Sequence, residues 1–334
     1  MRPTRIESAP LWALTSYFNP AGFRSRRANY LRFRDELGVP LVTAELSLDG
    51  HFDLRPGDAD ILVQHRGSAT LWHKESLLNS ALAALPPTVP NVAWVDCDVL
   101  FADGDWAKGA VLALKKHRIV QLFSDLCDLT DRESKQAGPY PSEARLRVSG
   151  RGIASLIAAE TLTSSSFSPR NNWDVRSSSF GIAWAASAEL LRLHSFYDAM
   201  IIGSGDRAMA CAAYGNYAAA IDTLCLSEER ASHYLSWARS YHDSINGEVG
   251  FLPGAIYHLW HGEISDRSYK ERHRALAELD FRLDRDLERD LNGFWKWRRP
   301  RPDLEDFFRT YFQGRREDGV TSVKKELDRK QSPV

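Results

Sequence analysis

The feature that most constrains the fold is a regular alternation of short apolar runs and helical patterns over the first third of the chain. Short apolar runs are typical of buried strands, and apolar residues that recur every three or four positions are typical of amphipathic helices. Strands that alternate with helices predict an α/β fold with a mainly parallel central sheet flanked by helices, in which ligands bind beyond the carboxyl ends of the strands. The predicted strands cover residues 11–17, 41–46, 60–65, 91–96 and 119–123, and the predicted helices lie near 25–37, 71–85 and 106–117.

Composition and charge limit what such a fold can do. The chain has 334 residues, of which 43% are hydrophobic and 26% charged, and this predicts one large soluble domain, with or without an appendage. A formal net charge of -1 gives no general attraction to nucleic acid or to an anionic membrane. We find no signal peptide, no apolar run of about 18 residues and no CxxC pair among the four cysteines. We therefore expect a cytoplasmic protein with reduced thiols and no membrane partner.

Two aspartates stand at the end of one predicted strand, in the segment NVAWVDCDVLF. Side chains two positions apart on an extended backbone point to the same side, so Asp96 and Asp98 are expected to present two carboxylates where ligands bind. A divalent cation commonly relieves the repulsion between two such charges. The segment has two interpretations: a metal site, or a turn and helix-cap signal before the DGDW that follows.

A second constellation is HLWHG, in which His258 and His261 are three positions apart in an apolar, aromatic setting. On a helical turn this spacing places both imidazoles on one side, where they can bind one ion, and neutral imidazole suits Mn²⁺ or Zn²⁺ better than Mg²⁺. The alternative is a pair of hydrogen-bonded histidines near a helix start.

A third constellation is GSGD, where Gly203 and Gly205 permit a tight turn and Asp206 opens a helix. An acid in this position is either an N-cap or first-turn residue or a general base held at the start of the helix. The pattern allows both roles.

Two longer stretches complete the chain. Residues 124–180 are polar and rich in Ser, Gly and Pro, which predicts a long lid or binding loop. Five leucines at spacings of three or four predict one amphipathic helix, and the aromatic, charged tail after it is expected to dock on the domain. The leucines are Leu276, Leu279, Leu283, Leu287 and Leu291.

Taken together and in this order, the motifs WVDCDVLF, FGIAWAAS, IIGSGD and YHLWHG resemble those of nucleotide-sugar glycosyltransferases of the GT-A fold. The likeness is to the galactosyltransferase-like branch, which includes the β-1,4-galactosyltransferases and chondroitin-polymerase-type enzymes, and it covers about residues 10–275. It implies a GT-A domain over residues 1–264, divided into a nucleotide-binding half (1–124) and an acceptor half (125–264). Residues 265–334 are then a helical C-terminal extension.

The resemblance also implies roles for the three constellations. In this family the second aspartate of the pair binds Mn²⁺ against the donor diphosphate, which assigns the metal to Asp98 and the ribose or uracil end of the nucleotide to Asp96. The distal ligands are a histidine and a residue three positions before it, as in His261 and His258. The glycine-rich motif supplies the base, here Asp206, although the family normally has several consecutive acids at this point. The implied reaction is the inverting, Mn²⁺- or Mg²⁺-dependent transfer of a hexose from a UDP-sugar to a hydroxyl.

Further residues are candidates for contacts with the donor. Polar residues at the end of the first strand lie where such a fold seats the nucleotide. Two basic residues after an earlier strand either contact the donor phosphate or base or are surface charges, and a tryptophan in GIAWA either packs on the sugar or belongs to the core. These candidates are Thr15, Tyr17, Asn19, Arg66, Lys74 and Trp184.

The acceptor and two competing functions stay open. Arginines are concentrated in residues 22–34 and alternate with tryptophan in 296–301, which indicates either a grip on nucleic acid or solvated helix faces. The acceptor is accordingly a glycan, a lipid-linked intermediate or a modified base in DNA. The competing functions are a metal-dependent phosphoesterase or nuclease, which usually gathers more carboxylates around two ions, and a non-catalytic carbohydrate- or nucleic-acid-binding module.

Overall fold

The computed structural model describes residues 9–136, 147–162, 178–269 and 271–319 of the chain. The strands are β1 (Trp12–Phe18), β2 (Leu41–Ser47), β3 (Ile61–Arg66), β4 (Asn91–Val95), β5 (Val99–Phe101), β6 (Ile119–Gln121), β7 (Asp125–Asp128), β8 (Gly150–Gly152), β9 (Ser178–Ser179), β10 (Ala183–Ser187), β11 (Val249–Phe251), β12 (Ala255–His258), β13 (Leu287–Arg289) and β14 (Trp295–Trp297). The helices are α1 (Arg24–Glu36), α2 (Lys74–Ala84), α3 (Trp106–Ala113), α4 (Asp131–Ser134), α5 (Ile153–Ala158), α6 (Ala188–His194), α7 (Gly205–Ala213), α8 (Tyr217–Thr223), α9 (Glu228–Ile245), α10 (Glu271–Glu278), α11 (Leu283–Asp286) and α12 (Pro302–Gly314).

The central sheet has seven strands in the order β11-β6-β10-β4-β1-β2-β3. Strands β3, β2, β1 and β4 run parallel, as do β11 and β6, while β10 is antiparallel to both of its neighbours. Strand β2 is buried along its whole length, as expected for a parallel strand that is covered on both faces. The predicted α/β fold with a mainly parallel central sheet is therefore confirmed.

Packing on the two faces of the sheet follows the alternation of side chains along each strand. In β1, Trp12 and Leu14 pack into the cluster on one face, whereas Ala13 and Tyr17 pack into the cluster on the other. The C-terminal residues Leu304 and Phe308 join the first of these clusters, so the end of the described chain packs on the same core as the central sheet.

A second sheet of five strands, in the order β5-β12-β7-β8-β9, includes part of the stretch that was predicted as one long loop. That prediction is wrong for residues 125–128, 131–134, 150–158 and 178–179, which form strands and two short helices. Strands of two to four residues carry too little periodicity to be recognised in a sequence. Residues 137–146 and 163–177 of the predicted lid lie outside the described residues.

The prediction of one long helix through the five leucines is also wrong. Helix α10 ends at Glu278, Asp280 adopts a left-handed conformation with φ of 46°, and α11 is only four residues long. Leu287 then begins β13, which pairs with β14, and Leu291 is fully exposed. The spacing of the leucines therefore arises from three separate elements, each of which packs through its own tertiary contacts.

None of the helices in the described ranges is long and apolar enough to cross a membrane. Within the same ranges all four cysteines are free thiols, and Cys97, Cys127 and Cys211 are buried.

Candidate functional site

A cavity of about 540 Å³ lies where the central sheet meets the second sheet. Its wall includes the ends of β1, β7 and β12, the turn after β4, the start of α7 and the end of α12. Strand β4 belongs to the central sheet and β5 to the second, so the segment Asp96, Cys97 and Asp98 joins the two sheets at the wall of this cavity. The predicted location of the two aspartates, beyond the carboxyl end of a parallel strand, is confirmed.

Strand pairing brings Asp98 and the two histidines together. His258 lies opposite Val99 of β5 and opposite Asp128 of β7, and the backbone N–H of Leu259 donates to the Asp98 carbonyl at 2.8 Å. His258 Nε2 and His261 Nδ1 each lie 3.5 Å from an oxygen of the Asp98 carboxylate. One ligand atom from each of the three residues lies within 4.8 Å of the others, so their arrangement fits a single metal ion.

The local structure around the histidines differs from the sequence prediction. His258 is the last residue of β12 and His261 lies in the loop that follows, whereas the spacing predicted a helical turn. Their rings are nevertheless in edge-to-face contact, with centroids 4.6 Å apart. The loop turns back because Leu259 is hydrogen-bonded to Asp98, and His261 Nδ1 closes it through a contact of 2.8 Å with the Leu259 carbonyl oxygen.

Asp98 and His261 are in the protonation states that bind a cation. Burial opposes ionisation of Asp98, but His261 and His258 more than offset it and hold the pKa of the carboxyl well below its usual range. Burial, together with Arg267, lowers the pKa of His261 to about 3, so its imidazole is neutral, the form that binds metals. Asp98 Oδ1 is buried and accepts no hydrogen bond from the described residues. A metal ion would satisfy this oxygen.

Asp128 orients His258 and was missed in the sequence. Its Oδ1 lies 2.9 Å from His258 Nδ1, which leaves Nε2 directed toward Asp98. Burial lowers the pKa of His258, but Asp98 and Asp128 more than offset this and raise it to about 10, so His258 would release a proton when a metal ion binds. A carboxylate behind a metal-binding histidine fixes the orientation of the ring. The sequence feature that could have indicated Asp128 is the acid at the end of the short run DLCD. This run lies inside residues 124–180, which are predicted as a loop.

Lys74 connects the first aspartate to the glycine-rich motif. Its Nζ lies 2.5 Å from Asp96 Oδ1 and 2.7 Å from Asp206 Oδ2. Burial lowers the pKa of the ammonium, but Asp206 and Asp96 more than offset it, so the pKa is raised and Lys74 is charged. The structure thus joins three residues that are far apart in the sequence into one ion-paired group on the wall of the cavity.

Asp206 is held closely at the start of α7. The turn before it contains Gly203, with φ of 90°, and Ser204, with φ of 71°, so a tight turn is present. The prediction is wrong for Gly205, which belongs to the helix, while Ser204 takes the second left-handed conformation. Ser204 is the N-cap, and Asp206 lies in the first turn of the helix. A Cβ atom at Gly181 would come within 2.5 Å of Asp206 Oδ2. The backbone of the turn before β10 therefore packs directly against this carboxylate.

Glu75 lies behind this ion-paired group and was also missed in the sequence. It is buried, its Oε1 accepts no hydrogen bond within the described residues, and a Cβ atom at Gly205 would come within 2.2 Å of that oxygen. Burial and the nearby Asp206 carboxylate raise the pKa of Glu75 to about 8. One lysine is thus shared by two aspartates, and Glu75 stays protonated at neutral pH.

We expect Glu75→Gln to stabilise the protein at high pH. A raised pKa in the folded state means that wild-type stability is retained below pH 4.5, the ordinary pKa of this carboxyl, and falls as the pH rises toward 8. Glutamine cannot ionise, so the variant should gain about 1 kcal/mol or more relative to wild type between pH 5 and pH 8.5. Urea unfolding at both pH values measures this. Glu278→Gln, at an exposed acid of α10, is the control. If the free energy of unfolding of Glu75→Gln differs from that of wild type by the same amount at pH 5 and pH 8.5, Glu75 does not have a raised pKa.

The candidate residues at the end of β1 do not line the cavity. Thr15 Oγ1 donates to the Val95 carbonyl at 2.7 Å, and Tyr17 Oη and Asn19 Nδ2 both donate to Asp53 Oδ2 at 2.8 Å. The cavity wall includes Ser16 and Phe18 instead, the alternate residues of the same strand. The contact of Thr15, Tyr17 and Asn19 with a nucleotide stays a prediction.

Two other candidates also lie away from the cavity wall. Arg66 is the last residue of β3, and its guanidinium packs against Gly50. Trp184 is buried in the core, where its Nε1 donates to the Phe180 carbonyl at 2.8 Å. Of the predicted donor contacts, Asp96 and Lys74 line the cavity together with Asp98, Asp206 and both histidines.

The two arginine-rich stretches are largely engaged within the fold. Arg26 pairs with Glu317 and Arg34 with Asp60, and in the second stretch Lys296 pairs with Glu288 and Arg301 with Asp286. Most of the positive charge that suggested a nucleic-acid surface is therefore compensated by neighbouring carboxylates.

A scan against protein-family models and a search of curated proteins each found no match to the chain. Several solved structures are similar to it. Residues 1–349 of S. aureus TarS, in complex with UDP-GlcNAc, are 11% identical with a TM-score of 0.35, and the match covers 70% of this chain and 72% of that one. Glucosyl-3-phosphoglycerate synthase from Mycobacterium tuberculosis, in complex with Mn²⁺, UDP and phosphoglyceric acid, is 12% identical with a TM-score of 0.37 and 87% coverage of each chain.

A third similar structure, the 4-diphosphocytidyl-2C-methyl-D-erythritol synthase from Anaerococcus prevotii DSM 20548, is 14% identical with a TM-score of 0.31. That match covers 75% of this chain and 88% of the other. Because these identities and TM-scores are low, the function has to be inferred from the residues of the cavity.

Proposed function

We propose that the chain is a metal-dependent glycosyltransferase that moves a sugar from a UDP-sugar to a hydroxyl acceptor. The observation that carries the proposal is the presence of two separate groups in one cavity. One is the cluster of Asp98, His258 and His261, and the other is Asp206, ion-paired through Lys74 to Asp96. The GT-A resemblance of the sequence motifs implies metal binding for the first group and acceptor activation for Asp206.

The first group provides the donor side of the reaction. Asp98 and the two histidines would hold Mn²⁺ or Mg²⁺, and the bound ion would stabilise the negative charge that develops on the leaving diphosphate. Asp128 holds His258 in the orientation that this requires. Asp96 lies beside Asp98 and, through Lys74, connects the donor side to the acceptor side.

The second group provides the acceptor side. The acceptor oxygen attacks the anomeric carbon while the bond from that carbon to the phosphate oxygen breaks, and the acceptor proton passes to the Asp206 carboxylate. Attack from the face opposite the leaving group inverts the anomeric centre. Lys74 is a positioning residue, because its ammonium fixes Asp206 Oδ2 at 2.7 Å.

The metal cluster also bears on the competing hydrolase function. The described residues contain one cluster of three potential ligands, Asp98, His258 and His261. This arrangement suits a single ion that supports a leaving group, whereas two-metal phosphoesterases place a second ion about 3.5–4 Å from the first. It therefore favours the transferase.

Calorimetric titration of UDP with and without Mn²⁺ tests the proposed donor. We expect UDP to bind in the presence of Mn²⁺ and to bind at least about tenfold more weakly without it, because the ion links the protein ligands to the diphosphate. Uridine, which lacks phosphate, is the control and should show no metal dependence. Failure of UDP, GDP, CDP and dTDP to bind under every metal condition would refute the transferase and favour a purely structural role for the acids.

A further inference from the structure

One wall of the cavity is built from buried arginines. Arg272, Arg315 and Arg267 line it and are only 4%, 5% and 8% exposed. Arg272 Nη2 donates to Ser204 Oγ at 2.8 Å, and Ser204 is the N-cap of the helix that carries Asp206. The arginine wall therefore lies beside the proposed base.

Two of these three arginines form no ion pair within the described residues. Arg272 donates to Ser204 and Tyr311, and Arg267 donates to Tyr269. Burial lowers the pKa of Arg267, but Tyr269 and the more distant carboxylates Glu317 and Asp98 more than offset it. The Nε atoms of Arg272 and Arg267 are buried without a hydrogen-bond partner in the described residues. Burial of a guanidinium without a counter-ion is unfavourable, which points to an anion that is supplied from outside the chain.

The other residues of this wall add little negative charge to offset the arginines. Tyr311 Oη accepts from both Arg272 and Arg315, so a neutral phenol holds two like charges close together. The buried carboxylate of Glu317 is already shared by Arg315 and Arg26. Trp72 and Phe312 are stacked with centroids 6.0 Å apart and cover the same region, with the Arg315 guanidinium 5.2 Å from the Trp72 ring. The result is a small, partly aromatic pocket with excess positive charge.

We propose that the acceptor is a small molecule whose phosphate or carboxylate group is bound by Arg272 and Arg267. This inference rests on the proposed function and narrows its acceptor. Guanidinium groups match the planar or tetrahedral oxygens of such anions, and a pocket this buried accommodates one anionic group better than a nucleic-acid backbone. Because Arg272 contacts the turn that leads to Asp206, an anion bound there places a neighbouring hydroxyl at the proposed base. The donor diphosphate is assigned to the metal cluster instead.

Calorimetric titration of glycerol 3-phosphate, glycerate and glycerol into the full-length protein tests the inference, with and without UDP and Mn²⁺. We expect binding of glycerol 3-phosphate, glycerate or both, and none of glycerol, and the first two compounds distinguish a phosphate from a carboxylate site. Arg272→Gln and Arg267→Gln should each weaken this binding about tenfold or more, since each removes a charged hydrogen-bond donor. In Arg272→Gln, binding of UDP with Mn²⁺ should change less than about threefold. Arg267 also acts on His261 and Asp98, so the comparison with UDP binding uses the Arg272 variant.

Arg230→Gln is the matched control, because Arg230 is also 4% exposed and has an unpartnered buried nitrogen but does not line the cavity. Arg272→Lys keeps the charge if the glutamine variant fails to fold, and it should still weaken anion binding because the ammonium lacks the planar fork of donors. Equal binding of glycerol, unchanged anion binding in the Arg272 and Arg267 variants, or an equal loss of UDP binding in Arg272→Gln would overturn the inference. If wild type binds no nucleotide, the proposed function fails, whereas Arg272-dependent binding of glycerol 3-phosphate would still support the anion site.

Discussion

Replacement of Asp98 by asparagine is expected to abolish the metal dependence of UDP binding. The substitution keeps the shape of the side chain but removes the charge that lies between the two histidines, at 3.5 Å from each. Neutral oxygen is a much weaker ligand than carboxylate for a divalent cation. We expect the affinity for Mn²⁺, measured by calorimetry or by its paramagnetic resonance signal, to fall at least about 100-fold, since loss of an outer hydrogen-bond partner alone costs about 10- to 100-fold.

Two further variants make this result specific. Asp128→Asn removes the carboxylate that orients His258 and should give a smaller loss, within about 10- to 100-fold. Asp105→Asn, at an exposed acid a few residues further along the chain, should change nothing. If Asp98→Asn binds Mn²⁺ as tightly as wild type, the cluster is not a metal site and the interpretation of DCD as a turn signal is supported.

Replacement of Asp206 by asparagine is expected to lower kcat by about 100- to 10,000-fold and to leave donor binding nearly unchanged. Asparagine keeps the side-chain shape next to Gly181 and still offers an oxygen to Lys74, but it cannot accept the acceptor proton. Transfer from a UDP-sugar can be followed by release of UDP once an acceptor is identified. Calorimetry with UDP and Mn²⁺ measures donor binding independently.

The result for Asp206→Asn distinguishes a catalytic base from an acid with a purely structural role. Asp222→Asn, at an exposed acid of α8, is the control and should retain full activity. A loss of kcat with intact UDP binding supports Asp206 as the base. Activity within about threefold of wild type would show that the base lies elsewhere and that Asp206 only holds Lys74 in place.

The sequence by itself determined five of the seven strands of the central sheet and one half of the site. Long strands that are buried on both faces, such as β1 and β2, leave continuous apolar runs, and long helices such as α1 leave a regular spacing, so both were recognised within a residue or two of their bounds. The position of Asp96 and Asp98 followed from the same pattern, because polar residues directly after a buried parallel strand must lie at the ligand-binding edge of the sheet. The turn before Asp206 was recognised from Gly203, whose positive φ favours glycine, whereas the second positive φ falls on Ser204.

The tertiary structure alone decided which side chains meet at that edge. Asp128 and His258 are 130 positions apart in the sequence, and only the register of β7 with β12 places them opposite one another. Lys74 is 132 positions from Asp206, and Arg272 is 68 positions from Ser204. The short strands of the second sheet and the arginine wall give no periodic signal, because their conformation is set by hydrogen bonds and ion pairs to distant segments instead of by local apolar spacing.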